Sequence, residues 1–171
     1  MSADQPSAHA FAWREEESLT GRGRVLRPTV DVELRGLELR TTTKALIDTG
    51  SPRCVFPRGI GDLLAVDFPD FPSGARESVT LLGKRWPAVA AEVELVLQPF
   101  ADSSWTAEVL FVFEEGLPLS LLGCEGFLNR WAVSFNSYLG YFIVESIDDF
   151  HSRQPANIRA ALQGLAGTHY S

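Results

Sequence analysis

Residues Ala45–Ser51 read Ala-Leu-Ile-Asp-Thr-Gly-Ser, and residues Pro118–Gly123, further along the chain, read Pro-Leu-Ser-Leu-Leu-Gly. The first stretch is a short continuous apolar run ending in an acid, a hydroxyl residue and a glycine. Such a run bounded by turn residues reads as a buried strand, so Asp48 stands where that strand ends and the chain turns. A carboxylate in that position is costly to bury unless hydrogen bonds meet it. Gly50 lets the backbone turn tightly with its amide near the carboxylate, and Thr49 offers a hydroxyl to brace the loop against a neighbour. Alone, Asp-Thr-Gly is also a plain turn, the acid accepting backbone N–H bonds. Three additions raise it above that: the apolar strand before it, the apolar-apolar-Gly segment downstream, and a helix-then-strand pattern after that segment.

Outward from these two segments the chain is a series of short alternating runs. Val30 to Leu34 alternates apolar and polar, and Leu37 and Leu39 follow after Gly36, which reads as a half-buried hairpin. Pro57 to Leu64 suits one short helical turn, and the stretch from Phe68 to Gly74 is turn-rich. Strands are expected at Val79 to Leu82, along Val89 to Leu97 after a turn at Gly83-Lys84, and at Trp105 to Phe113. Glu125 to Trp131 reads as helical, with closing strands at Trp131 to Phe135 and Tyr141 to Val144 around the turn at Asn136 to Gly140. Many short strands separated by turn signals give an all-β barrel or sandwich with little helix. Residues 1–20 are polar and aperiodic, with Phe11 and Trp13 as isolated apolar positions, and are expected as a flexible arm. Residues 21–147 form the domain. Residues 148–171 form a tail, in which Ala156 to Leu165 suits one amphipathic helix. No internal repeat is visible.

The 171 residues suffice for one domain with a real core. The net charge of −7 argues against nucleic acid or an anionic membrane as partner, since both require clustered Lys and Arg. No window approaches the ~20 continuous apolar residues of a membrane span, and the first residues lack a secretory signal. Two cysteines, Cys54 and Cys124, make no disulfide framework. A cytoplasmic location is the expectation. His9, His151 and His169 lie far apart, so no metal site is expected. Cys54 has no histidine partner in view and reads as a small buried residue. Neither a Gly-x-Ser-x-Gly nor a phosphate loop is present.

In order and spacing the two opening segments resemble the active-site loop and closing segment of the retropepsin-like aspartic proteases, over most of the chain from about residue 25 to about residue 145. The resemblance implies a closed β-barrel of the acid-protease type with one short helix after the Leu-Leu-Gly segment. It implies a homodimer, because such proteins carry one aspartate per chain and this chain holds one Asp-Thr-Gly and no second copy. Asp48 is then the catalytic carboxylate, paired with Asp48 of a second subunit to hydrolyse a peptide or protein substrate without a cofactor or metal. Thr49 would hydrogen-bond across the twofold axis and Gly50 would present backbone to substrate. Leu121, Leu122 and Gly123 match the closing segment, with Glu125–Arg130 as its helix. Leu119, Leu121 and Gly123 are the substrate-binding candidates, and Leu122 is barrel core. The flap of such proteins falls within Phe71–Trp86, with its tip at Ser73-Gly74 or at Leu82-Gly83-Lys84. Two positions depart from the viral pattern. Cys124 and Pro52 stand where viral members place an arginine and its acid partner, and the next position along each segment holds Glu125 and Arg53, expected as a substitute pair. Ser51 replaces a common alanine, and its hydroxyl is expected to donate to the Asp48 carboxylate. The alternative use of the same barrel is a catalytically inactive dimerisation or protein-binding module.

Overall fold

The computed structural model describes residues 8–18, 21–68, 77–81, 83–98, 100 and 103–166. Its first long hairpin joins β4 (Thr29–Arg35) to β5 (Arg40–Ile47), in register from Thr29↔Leu46 to Arg35↔Arg40. On β4 the period is two. Val30, Val32 and Leu34 are fully buried, while Asp31, Glu33 and Arg35 face outward. The second strand lies later than its alternation suggests. Leu37 and Leu39 are exposed in the connection, which the Gly36 N–H to Leu39 carbonyl bond closes at 2.8 Å. The β-branched run Thr41-Thr42-Thr43 carries the strand instead.

Beyond β5, the chain crosses β6 (Val55–Phe56), helix α1 (Arg58–Leu63), β7 (Glu77–Leu81), β8 (Lys84–Leu97), β9 (Ser104–Val112) and β10 (Ser120–Leu122). Hydrogen bonding orders them β4-β5-β10-β6-β9-β8, and the far end of β8 returns to β4 from Val32↔Leu97 to Arg35↔Glu94. Six strands therefore close into a ring, which satisfies their backbone groups and is the expected closed barrel. β7 stays outside the ring, paired only with β8. The interior holds, among others, Phe56, Val93, Leu95, Phe111 and Phe127, and each of these five is at most 4% exposed. Each such side chain contributes roughly 1.5–3 kcal/mol by leaving water.

The stretch expected as a flexible arm carries strands in its described part. β1 (Ala8–Ala12) pairs antiparallel with β12 (Tyr141–Ser146), which pairs in turn with β11 (Trp131–Asn136). β2 (Arg14–Glu17) pairs with β3 (Arg24–Arg27). What holds them is long-range. Phe11 stacks on Phe142 with ring centroids 5.3 Å apart, and Arg14 grips Asp31 of β4 through two 2.8 Å hydrogen bonds. The short helix expected at Glu125–Arg130 is instead a compact run of turns. Leu128 N–H reaches the Gly123 carbonyl at 3.0 Å and Asn129 N–H that of Cys124 at 2.9 Å, wider spans than an α-helix uses. Gly126, at φ +92°, interrupts helical geometry there. After β12 come α2 (Ile147–Arg153), capped by Ser146 Oγ accepting from Asp149 N–H at 3.1 Å, and α3 (Ala156–Ala166) where a tail helix is expected. Among the described residues, no helix is long and apolar enough to cross a membrane.

Candidate active site

Asp48 follows the last residue of β5, and the ladder that fixes β5 fixes it too. β10 runs parallel to β5 with Leu121 beside Leu46 and Leu122 beside Ile47, and the Asp48 N–H continues the pairing to the Leu122 carbonyl at 3.0 Å. The chain then turns. Ser51 N–H bonds the Asp48 carbonyl at 3.2 Å, and Gly50 N–H donates to Asp48 Oδ1 at 2.8 Å. Cys124 N–H to the Ser51 carbonyl and Glu125 N–H to the Pro52 carbonyl, both 2.9 Å, staple the loop to the segment after β10. The two sequence segments are thus one structural unit. Gly123 is required by that contact, since a Cβ there would lie 2.3 Å from the Arg53 carbonyl oxygen.

Asp48 is half-buried, and Thr49 and Gly50 are exposed beside it. Ser51 is only 4% exposed, and its hydroxyl donates to the Arg53 carbonyl at 2.7 Å. The expected bond from Ser51 to the Asp48 carboxylate is therefore replaced. Past the turn the chain folds inward, and an otherwise open backbone carbonyl takes the hydroxyl. Ser51 braces the loop from beneath.

A cleft of about 510 Å³ opens above this loop, its lining mostly apolar. Asp48, Gly50 and Ser51 line it on one side and the β7 residues 77–81 on the other, with Leu46, Leu119 and Leu121 along the wall. Gly123 lies outside that lining, packed behind the loop, and Leu122 is fully buried in the core. The β7–β8 hairpin, from Leu81↔Lys84 to Glu77↔Ala88, roofs the cleft. Gly83 and Lys84 at its turn belong to the second of the two candidate flap tips, while Leu82 of that tip and the whole of Ser73-Gly74 lie outside the described residues. Trp86, 7% exposed and paired with Val79 within this hairpin, lines the cleft, with Lys84 Nζ 3.9 Å above its ring.

The expected Arg53–Glu125 pair is present at 3.9 Å, alongside a parallel bridge between their backbones. It is the loosest of three. The guanidinium also hydrogen-bonds Glu77 at the start of β7 and Glu108 on β9. Neither glutamate carries a sequence signal, because both meet Arg53 across long separations in the chain. Cys54 is fully buried, and burial pushes its thiol up to about 11, so the reactive thiolate is suppressed. Cys124 is exposed and its Sγ donates to the Thr49 carbonyl at 3.6 Å. Among the described residues, no three His, Cys, Asp or Glu side chains converge to hold a metal ion.

A half-buried aspartate at a strand end, stapled to a parallel apolar-apolar-Gly strand and roofed by a hairpin, belongs to a fold that solved structures share. That fold is the one of retropepsin-like aspartic proteases. A retropepsin-like aspartic protease from Rickettsia conorii aligns with a TM-score of 0.53 at 13% identity, over 81% of this chain and 99% of that one. The EIAV protease complexed with the inhibitor HBY-793 aligns with a TM-score of 0.43 at 18% identity, over 57% of this chain and 81% of that one. At these identities the likeness is one of fold. No family model matches the sequence, and no curated protein does.

Proposed function

We propose that the chain is one subunit of a homodimeric aspartic endopeptidase whose catalytic dyad is Asp48 from each of two copies. The observation that carries this reading is the setting of Asp48. Its carboxylate is anchored by the Gly50 amide at 2.8 Å, stands half-buried, and opens onto a mostly apolar cleft under a hairpin. Among the described residues, the other carboxylate lining that cleft is Glu77, and it is engaged by Arg53. In this reading the second acid that shares a proton with Asp48 comes from another copy.

With two loops face to face, like charges at close range cannot both ionise, so the dyad holds one proton and titrates as a pair. The ionised carboxylate takes a proton from water while the protonated one hydrogen-bonds the scissile carbonyl. Water oxygen bonds to the carbonyl carbon as the protonated carboxyl gives its proton to the carbonyl oxygen, and a tetrahedral diol forms. The C–N bond then breaks as the dyad passes its proton to the leaving nitrogen and a diol hydroxyl returns one, so the dyad ends with one proton as it began. Thr49, exposed beside Asp48, would brace the partner's loop. An extended peptide would lie between the loop and the hairpin, with apolar side chains against Leu46, Leu119 and Leu121. Two free cysteines suit a reducing compartment such as the cytoplasm.

The test is cleavage of a denatured protein substrate by the wild-type chain and by Asp48→Asn across acidic to neutral pH, with melting followed in parallel. The expected result is cleavage by wild type, blocked by a statine-type peptide. Asp48→Asn should be slower by roughly a hundred- to ten-thousandfold and melt within a degree or two of wild type. Equal cleavage by both chains, or none by wild type at any pH, overturns the reading and leaves a binding module on the same fold.

A further inference from the structure

The hairpin over the cleft has few backbone ties to the rest of the molecule. β7 is the edge strand, paired only with β8, and β8 leaves β9 at Ala88↔Val112, with one further bond from Phe113 N–H to the Pro87 carbonyl at 2.9 Å. Beyond it Trp86, Val79 and Leu81 rest on an apolar cluster with Leu110, Leu117 and Leu121. Two ion pairs restrain it. At the tip Lys84 pairs with Glu114, and at the base Glu77 pairs with Arg53. An edge strand with so few partners belongs to the low-stability end of a fold, where local opening is easiest. A single ion pair therefore weighs more there than inside the ring.

Arg53 is unusual among the charged side chains. Its side chain is 17% exposed, and it meets three carboxylates from three separate elements: Glu77 on β7, Glu108 on β9, and Glu125 in the turns after Gly123. A planar guanidinium can serve several acceptors at once, which a lysine ammonium on a flexible stem does poorly. Its backbone sits in the same stapled loop as Asp48, between the Ser51 and Pro52 bonds and the Glu125 bridge. Arg53 and Glu77 also both line the cleft. From this arrangement we propose that Arg53 sets the opening of the cleft by latching its roof hairpin, through Glu77, to the loop that carries Asp48. Arg53 is a positioning residue. It fixes where the roof lies above the carboxylate without meeting the scissile bond. The proposal rests on the peptidase reading for its consequence, and its main test does not.

The test is amide hydrogen exchange on the full chain for wild type, Glu77→Gln, Glu108→Gln, Arg53→Gln and Arg53→Lys. Glu77→Gln keeps the arginine and its other partners, so it reports on the latch even if an Arg53 variant folds poorly. The expected result is exchange in residues 77–81 and 84–86 faster by roughly fivefold in Glu77→Gln, with β4 and β5 unchanged. Arg53→Lys should fall between wild type and Arg53→Gln. Glu108→Gln should leave the hairpin as in wild type, because β9 is already held in the ring. Hairpin exchange in Glu77→Gln equal to wild type overturns the proposal, as does a uniform rise over all strands or an equal effect from Glu108→Gln. If the wild-type chain cleaves peptide, Glu77→Gln should raise KM more than it lowers kcat, and the reverse split counts against the latch. A chain that cleaves nothing defeats the peptidase reading, while the exchange result still decides the latch.

Discussion

A methyl group on Gly123 would lie 2.3 Å from the Arg53 carbonyl oxygen and 2.6 Å from that of Ser51. Both atoms are backbone of the loop that carries Asp48, so neither can yield without displacing it. Gly123→Ala is therefore expected to destabilise the fold by roughly 2–4 kcal/mol, read as a lower denaturation midpoint in urea. If the midpoint is unchanged, the close approach of the two segments is wrong. This pairing is also what the sequence showed best. An acid at the end of an apolar run and an apolar-apolar-Gly segment each have a local pattern, and the structure brings them together at Asp48 N–H to Leu122 O. The role of Ser51 was not legible, because its acceptor, the Arg53 carbonyl, leaves no mark on residue type. Glu77 and Glu108 were hidden for a related reason. Surface glutamates look alike in a sequence, and only the closed ring sets these two beside Arg53.

Elements followed the same rule. Strands with strong alternation, such as β4 and β9, stand within a residue of where the period places them, and β8 contains the expected Val89 to Leu97 but begins five residues earlier, at Lys84. Elements decided by tertiary contact do not follow their local pattern. β1 has little pattern of its own and exists because β12 supplies its ladder and Phe142 its stacking partner. The run of turns after Gly123 has the composition of a helix, but Gly126 is drawn over Cys54 at a positive φ. Docking of the N-terminal strands makes a prediction at this scale. Hydrogen bonds from Arg14 hold the Asp31 carboxyl below its ordinary 3.8, against a smaller opposing effect of burial. A depressed folded-state value means that the unfolded chain binds the proton more readily. The pair thus stabilises above the ordinary value, and that gain is lost as pH falls through the depressed one. Both side chains are partly exposed, so screening keeps the contribution to about 0.5–1 kcal/mol. Asp31→Asn should melt lower than wild type at pH 7, and the gap should close as pH falls below the ordinary 3.8. A gap of constant size down to the lowest pH would show that the ion pair is not its source.

At the scale of the whole molecule, one chain supplies a closed ring, a cleft and one Asp48 facing it, and the chemistry proposed here needs two. The closed ring and its likeness to the Rickettsia conorii protease establish the fold. Pairing of two copies is the step that the proposed function requires. Sequence bore on that step through a single Asp-Thr-Gly and the absence of a repeat. A subunit interface, however, is a property of surfaces that no local pattern encodes. The most direct test is a subunit-mixing titration. Wild-type chain at fixed concentration is equilibrated with increasing Asp48→Asn chain, and peptide cleavage is followed. If each dyad takes one Asp48 from each of two chains, mixed dimers lose activity and cleavage per total dimer falls as the square of the wild-type fraction. Cleavage that falls only in proportion to that fraction, as for chains working singly, would contradict the shared dyad.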